Sequence, residues 1–331
     1  MLAFAAAAPL AFYGTQVYPE VPAALAVTLA VAALTGPLGA RGVALLGACV
    51  VALPWFAVKY APVAVVLAGI AAVRLWRAGG RRRLLALGAW GAASAALFAG
   101  AHLAWYGGLT PYAAGDHFTG GELTVMGHDP DYAGRAIRLV GLLLDRDFGL
   151  AAWQPAYLLA VPALVVLLRD RPRWWPVVVL PLLVGWCNAA FVALTMHGWW
   201  WPGRQVVVVL PCVVLAVTWF ASTRPAIRTA LVALGAFGAS VYAWLVAQAV
   251  LGDLTIVVGF EDVTHPLVGA WRALLPDYRE RSATDWVLHG AWIGAITVVA
   301  ALAAWPRLRT RPLARRWQGR TARIGTGVTS T

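Results

Sequence analysis

The sequence predicts an all-α protein, a polytopic transmembrane helical bundle of about nine or ten helices with two long extracytoplasmic loops. Hydrophobic residues make up 61% of the chain and charged residues only 12%, whereas a soluble domain carries about a quarter charged residues. Apolar stretches of nearly membrane-spanning length recur along the chain, and basic and acidic loops alternate between them. The bundle is predicted over residues 1–305, and a basic cytoplasmic tail over 306–331.

Six apolar stretches are long enough to cross a bilayer as helices, because lipid offers the backbone no hydrogen-bonding partner. They cover residues 84–105, 150–168, 174–196, 203–220, 228–251 and 286–305. The first third gives shorter runs at 1–13, 21–35, 42–56 and 61–77. Pro54 and Pro62 bracket a break that predicts the tip of a helical hairpin, since proline interrupts the hydrogen-bond ladder. Residues 1–13 could instead be a signal peptide, although no basic segment precedes them.

The arginines predict the orientation of the bundle. One set of loops holds Arg41, residues 74–83, 169–173 and 224–228, and the tail, and it contains a single acid, Asp170. Cytoplasmic loops are enriched in arginine and lysine, so this side is predicted to be cytoplasmic and the acidic side extracytoplasmic. The net charge of +12 is therefore explained as a topogenic signal. Nucleic-acid binding is not predicted, because no folded basic face with base-contacting groups is evident.

The acidic side contains two long loops, residues 106–149 and 252–285. Loops of this length are usually functional or disordered, although most of their acids are expected to be solvated. Arg204 is the most informative residue on this side, because it follows Trp-Pro-Gly at the outer end of an apolar helix, where an unpaired charge is costly. Its guanidinium would bind a ligand phosphate or pair with an outer-loop acid.

Several functional classes lack their signatures. His117 and His128 do not have a recognised metal-ligand spacing, so no cofactor is predicted and a divalent metal is unsupported. The three cysteines lie inside apolar runs and are expected to be small core residues. No P-loop, GxSxG, HExxH or GxGxxG motif is present. The six clear helices carry no charge at mid-depth, which argues against an ion-coupled carrier.

Four segments, taken in order, resemble bacterial polytopic proteins related to the protein mannosyltransferases and lipid-linked-sugar transferases. That group has the C-type glycosyltransferase membrane fold, and the similarity covers about residues 15–285. No single motif is highly specific, and the ordered set carries the resemblance. The segments are Tyr18-Pro19-Glu20-Val21-Pro22-Ala23-Ala24-Leu25, Leu53-Pro54-Trp55-Phe56-Ala57-Val58-Lys59-Tyr60, Leu142-Leu143-Leu144-Asp145-Arg146-Asp147-Phe148-Gly149-Leu150 and Trp199-Trp200-Trp201-Pro202-Gly203-Arg204.

The resemblance implies an enzyme that uses a polyprenyl-phosphate sugar at the extracytoplasmic face of the membrane. In such enzymes an acid in the first outer loop acts as general base or positions the acceptor hydroxyl, and basic residues hold the lipid phosphate. Arg204, Lys59 and Arg146 are the candidates for phosphate binding here. Asp145 and Asp147, which flank Arg146, complete the candidate substrate-binding set.

The chain departs from the family pattern at its beginning, because the first outer loop with its acidic pair would precede residue 1. Either the chain is a truncated or split version, or the acid role falls to Glu20 or Asp116. Two alternatives therefore stay open. One is a non-catalytic subunit that binds the lipid carrier beside an acid-bearing membrane partner, and the other is a transporter of a lipid or polyol.

Overall fold

The computed structural model describes residues 1–115, 121–122, 126–198, 200–255 and 260–305. These residues form helices and connecting turns, and no strand occurs among them. Asp116 and the predicted tail at 306–331 lie outside the described residues.

Fifteen α-helices are described in these ranges. In chain order they are α1 Leu2–Ala5, α2 Leu10–Gly14, α3 Glu20–Thr35, α4 Ala40–Phe56, α5 Ala61–Arg77, α6 Arg81–Tyr106, α7 Tyr132–Arg135, α8 Arg138–Leu144, α9 Leu150–Trp153, α10 Ala160–Asp170, α11 Trp175–Cys187, α12 Leu210–Thr223, α13 Pro225–Leu251, α14 Val268–Arg272 and α15 Ala283–Ala304. Short 3₁₀ segments precede α5, α10 and α12, at Val58–Tyr60, Pro155–Leu159 and Arg204–Val209, and a π-helical turn, Asn188–Val192, extends α11.

Six helical segments in the described part are long and apolar enough to cross a membrane, and α3 and α4 are shorter apolar helices. The prediction of a helical membrane protein is therefore confirmed. The hairpin tip is also confirmed, because α4 ends at Phe56 and the chain turns through Val58–Tyr60 into α5. The predicted span at 150–168 is interrupted instead: α9 ends at Trp153, and Pro155 begins a 3₁₀ turn before α10, since proline has no N–H for the ladder.

The centre of the bundle is formed by α3 and by the helix that begins at Arg204 and continues through α12. In the most apolar window of residues 204–223, 67% of the residues are buried, against 6% for the window in the span that contains α6 and 11% for α15. The buried face of α3 is largely alanine and valine, and small side chains allow helix backbones to approach closely within a membrane. The peripheral helices α6 and α15 present apolar side chains outward, as a lipid environment requires.

The arginine-bearing helix ends meet at one end of the bundle. Arg74 donates to the carbonyl of Gly36 at 3.1 Å, and Arg83 to that of Leu38 at 3.2 Å. Arg169 donates to Ala304 at 2.8 Å. Helix α3 and the helical segment that begins at Arg204 start near each other at the opposite end. This end also carries most of the acidic residues and is called the acidic end below.

Candidate functional site

Three of the predicted site residues meet at the acidic end. The Glu20 carboxylate is fully buried, and its Oε1 accepts from Arg204 Nε at 2.9 Å and from Lys59 Nζ at 3.3 Å. Lys59 Nζ also lies 3.4 Å from Gln205 Oε1. We call Glu20, Lys59, Arg204 and Gln205 the Glu20 cluster.

Each member of this cluster stands at the beginning of a helical segment. Glu20 is the first residue of α3, where the helix dipole favours a negative charge, and Lys59 lies in the 3₁₀ turn at the hairpin tip. Arg204 follows Gly203, whose φ of 83° lies in the left-handed region that favours glycine. A Cβ on Gly203 would approach Leu150 Cδ2 to 2.8 Å, so no larger residue would position Arg204 in this way.

The cluster carries one uncompensated positive charge, since two cations share one carboxylate. Arg204 stacks over Tyr18, 4.4 Å from the ring centroid, and lies 5.5 Å from the centroid of Trp200. About a quarter of each cationic side chain remains exposed, 27% for Lys59 and 24% for Arg204. Within the described part of the chain, Arg204 uses only its Nε as a hydrogen-bond donor. Its two terminal nitrogens have no acceptor among the described residues, so they can bind an anion.

Glu20 itself is enclosed. Its side chain has 0% relative exposure. The second carboxylate oxygen, Oε2, is buried and has no hydrogen-bond partner among the described residues. An acceptor hydroxyl could not reach this carboxylate without displacing one of its cations. The geometry therefore assigns Glu20 to holding Lys59 and Arg204 in place.

A second polar cluster at the same end surrounds Asp145, which is 1% exposed. Its Oδ1 accepts from the backbone N–H of Asp147 at 3.0 Å and of Phe148 at 2.7 Å. Its Oδ2 lies 3.2 Å from His197 Nε2 and accepts from the backbone N–H of Tyr278 at 3.2 Å. We call Asp145, His197 and Tyr278 the Asp145 cluster. Burial, and then the charges of Asp145 and Asp285, raise the pKa of the Tyr278 phenol.

Arg146 and Asp147 lie beside the Asp145 cluster, not beside Arg204. Arg146 Nε donates to the Leu275 carbonyl at 3.1 Å, and its Nη2 lies 3.4 Å from Asp285. Asp147 is ion-paired with Arg272. These contacts join the segment after α8 to the loop before α15. The two predicted groups of binding residues are thus spatially divided, and Asp116 is not among the described residues.

The sequence analysis did not identify His197, Arg272 or Asp285. Arg272 and His197 are isolated ionisable residues without a motif, and their partners lie 125 and 52 residues away. Asp285 stands in a Ser282-x-x-Asp285 capping box, but its ion pair with Arg146 spans 139 residues. Among the described residues, no group of three His, Cys, Asp or Glu side chains could hold a metal ion. No protein-family model matches the chain, and comparisons with curated proteins and with solved structures give no match.

Proposed function

We propose that this chain binds the phosphate of a polyprenyl-phosphate sugar at the extracytoplasmic face of a membrane and acts as a membrane glycosyltransferase. The observation that carries the proposal is the Glu20 cluster, in which Lys59 and Arg204 share a single carboxylate and retain one excess positive charge. In this arrangement the acidic end faces the extracytoplasmic side, the chain crosses the membrane about nine or ten times, and the tail is cytoplasmic.

The remaining donors suit a phosphate monoester or diester. Lys59 has three N–H donors, two of which face Glu20 and Gln205, and no described residue binds the two terminal nitrogens of Arg204. Guanidinium matches two phosphate oxygens at once. Charge that develops on a departing lipid phosphate would be stabilised by these two fixed cations, which is the commonest source of catalytic power in group transfer.

An apolar groove supports a lipid-linked substrate. It has a volume of about 520 Å³ and lies between α10 and α11, from Leu139 at the acidic end to Leu168 and Trp175 near the basic end. Trp186 and Cys187 of α11 line the groove, and the following residue, Asn188, donates to the Lys59 carbonyl at 3.0 Å. The groove therefore ends beside the turn of α11 that contacts the hairpin tip carrying Lys59.

The enclosure of the acids favours a second candidate, a lipid-carrier-binding subunit without its own transfer activity. Glu20 is held by two cations, Asp145 by four donors, and Asp147 by Arg272. Glu20 and Asp145 are buried, and Asp147 is already ion-paired with Arg272, so each of the three carboxylates is engaged by a partner. Such a subunit would depend on a membrane partner for the base.

Binding tests the proposal most directly. The full chain in lipid nanodiscs is titrated with undecaprenyl phosphate, and with undecaprenol as the ligand that lacks the phosphate. Loss of one charge-assisted interaction, about 1.5–3 kcal/mol, predicts an affinity reduced roughly 10- to 150-fold in Arg204→Gln and Lys59→Gln. Arg173→Gln, which removes an exposed charge at the basic end, is the matched control. Equal affinity for undecaprenol and undecaprenyl phosphate would contradict the proposal.

Transfer distinguishes the two candidates. A glycosyltransferase moves labelled mannose from undecaprenyl-phosphate mannose to an acceptor or to water. A binding subunit shows the same phosphate-dependent affinity without transfer, and transfer appears only when an acid-bearing membrane protein is added.

A further inference from the structure

His197 and Asp145 form a pair with the geometry of a catalytic dyad. His197 Nε2 lies 3.2 Å from Asp145 Oδ2, and the carboxylate is almost completely buried while 21% of the histidine side chain is exposed. We propose that His197 is the general base of the transfer reaction and that Asp145 is its positioning residue. This inference rests on the proposed glycosyltransferase function and supplies the base that the Glu20 cluster lacks.

The hydrogen bond determines which ring nitrogen can accept a proton. An ionised carboxylate only accepts hydrogen bonds, so the nitrogen that faces Asp145 carries the proton. In the neutral imidazole, Nδ1 is then left with a lone pair, and it forms no hydrogen bond to any residue that the structure describes. A buried carboxylate on one nitrogen and a free lone pair on the other is the arrangement that a general base requires.

The Asp145 carboxylate is fixed by hydrogen bonds from the backbone, and it in turn orients the His197 ring. Backbone N–H groups of Asp147 and Phe148 bind one carboxylate oxygen, and Tyr278 N–H shares the other with His197. The Phe148 ring meets His197 edge-on, with centroids 5.0 Å apart. Both ring position and tautomer are thereby fixed before any substrate binds, which reduces the reorganisation needed during proton transfer.

One short loop connects the dyad to the cationic site. His197 and Arg204 are seven residues apart, and the Trp200 ring contacts both Gly198, the residue after His197, and Arg204. A Cβ on Gly198 would lie 2.6 Å from Trp200 Cζ2, and the same ring lies 5.5 Å from the Arg204 guanidinium. In the proposed reaction, the sugar unit extends from the phosphate at Arg204 along Trp200 toward His197.

The reaction step balances with these groups. The acceptor hydroxyl oxygen forms a bond to the anomeric carbon as its proton moves to His197 Nδ1. The bond between the anomeric carbon and the phosphate oxygen breaks, and its electron pair leaves on the polyprenyl phosphate, which Lys59 and Arg204 hold. The imidazolium, stabilised by Asp145, then releases its proton to water.

Several charged or titratable groups lie on the segments that neighbour His197. Arg138 donates to the carbonyl of Leu194 at 3.0 Å, and Arg279 lies over Phe148, 5.0 Å from its centroid. Arg281 and Arg135 are close enough to Arg138 to lower its pKa, after the larger effect of burial. With Asp145 and Tyr278, these are the groups whose charge enters the pH dependence of His197.

The test compares His197→Gln with the matched variant His289→Gln, whose ring is bound to the Tyr278 hydroxyl at 2.8 Å. Full-length protein in nanodiscs is assayed with undecaprenyl-phosphate mannose as donor. His197→Gln is expected to lower the transfer rate at least about 100-fold, as loss of a general base does, while the affinity for undecaprenyl phosphate stays at the wild-type value. The acid limb of the wild-type pH–rate profile should disappear in His197→Gln and persist in His289→Gln.

The tautomer gives a second readout that does not need activity. Nitrogen NMR of labelled histidine, assigned by comparison with His197→Gln, should show the proton of the neutral ring on Nε2. A proton on Nδ1, or a His197→Gln variant that keeps the wild-type rate and acid limb, overturns the inference. Failure of the proposed function is recognised separately, because the wild-type protein would then neither transfer mannose nor distinguish undecaprenyl phosphate from undecaprenol.

Discussion

The two polar clusters at the acidic end use the same residue types but differ in how many groups they leave unpaired. In the Glu20 cluster, one carboxylate faces two cations, and two nitrogens of Arg204 have no acceptor in the described part of the chain. Around Asp145, the carboxylates, arginines and loop backbone pair with one another, and Arg146 and Arg272 also bind carbonyls. An open cluster with excess charge can bind a ligand, whereas a closed one joins segments of the fold.

His197 is the exception that gives the second cluster a chemical role. Its ring is the member of the Asp145 cluster with both a fixed partner and an unused nitrogen. In the proposed reaction, Lys59 and Arg204 bind the phosphate, Asp145 positions the imidazole, and His197 accepts a proton.

Glu20→Gln should have the largest effect on stability. It leaves Lys59 and Arg204 side by side without their shared counter-charge, and breaking a buried ion pair by removing one partner costs about 3–5 kcal/mol. The measurement is the temperature at which the buried thiols of Cys49 and Cys212 react with a fluorescent maleimide in detergent. Added undecaprenyl phosphate should recover part of the loss, because it replaces the missing negative charge.

Lys59→Gln is the matched comparison. Glu20 keeps its interaction with Arg204, which at 2.9 Å is shorter than the 3.3 Å interaction with Lys59. The loss of thermal stability should therefore be clearly smaller than in Glu20→Gln. Equal losses in the two variants would show that Glu20 does not hold both cations.

Asp145→Asn should cost about 1–3 kcal/mol, the range for leaving a buried hydrogen-bonding group unsatisfied. Each of the two carboxylate oxygens accepts from two donors. In either orientation of the asparagine amide, its NH₂ group would therefore face two donors and could accept from neither. Hydrogen exchange at the backbone N–H of Phe148 and Tyr278 should accelerate. Asp129→Asn, at an exposed position, is the control, and unchanged exchange in Asp145→Asn would mean that the cluster does not join these loops.

Gly203→Ala should cost about 1–2 kcal/mol from backbone conformation alone, because a residue with a Cβ is strained at a φ of 83°. Contact with Leu150 would displace the turn further. Because this turn positions Arg204, affinity for undecaprenyl phosphate should fall as well. Gly252→Ala has the same φ with no atom within 4 Å of its Cβ, so it should show the conformational cost without the loss of affinity.

The helices were largely predictable from the sequence, and the contacts between them were not. Hydropathy and proline located α3, α4 and the hairpin tip at Val58–Tyr60 to within a few residues, because these are local properties of the chain. Hydropathy missed the interruption at Pro155, since apolar residues continue through it. Because Arg204 follows Trp-Pro-Gly at the end of an apolar helix, the sequence indicated that its charge needs an acidic partner or a bound anion. In the structure, that partner is Glu20.

The division of the candidate residues between two clusters could not be read from the sequence. Glu20, Lys59 and Arg204 come from three separate regions, and only the packing of α3 against its neighbours brings them together. The pairing of Asp145 with His197 depends on the loop after α11, where no periodic pattern or motif indicates a neighbour. The family resemblance grouped Arg146 with Arg204 because both residues are basic and both are predicted to lie on the extracytoplasmic side.

Arg146→Gln should have the smallest effect, and it tests that grouping. The Arg146 side chain is 32% exposed and lies 3.4 Å from Asp285, and partly exposed ion pairs of this kind contribute about 0–1 kcal/mol. Asp285 would retain its hydrogen bonds from Ser282 and Asp277, so the start of α15 should stay intact. Affinity for undecaprenyl phosphate should equal that of the wild type, in contrast to Arg204→Gln measured in the same nanodiscs. If Arg146→Gln instead weakened binding as much as Arg204→Gln, the phosphate would have to contact both clusters, and the separation between an open binding cluster and a closed structural one would be wrong.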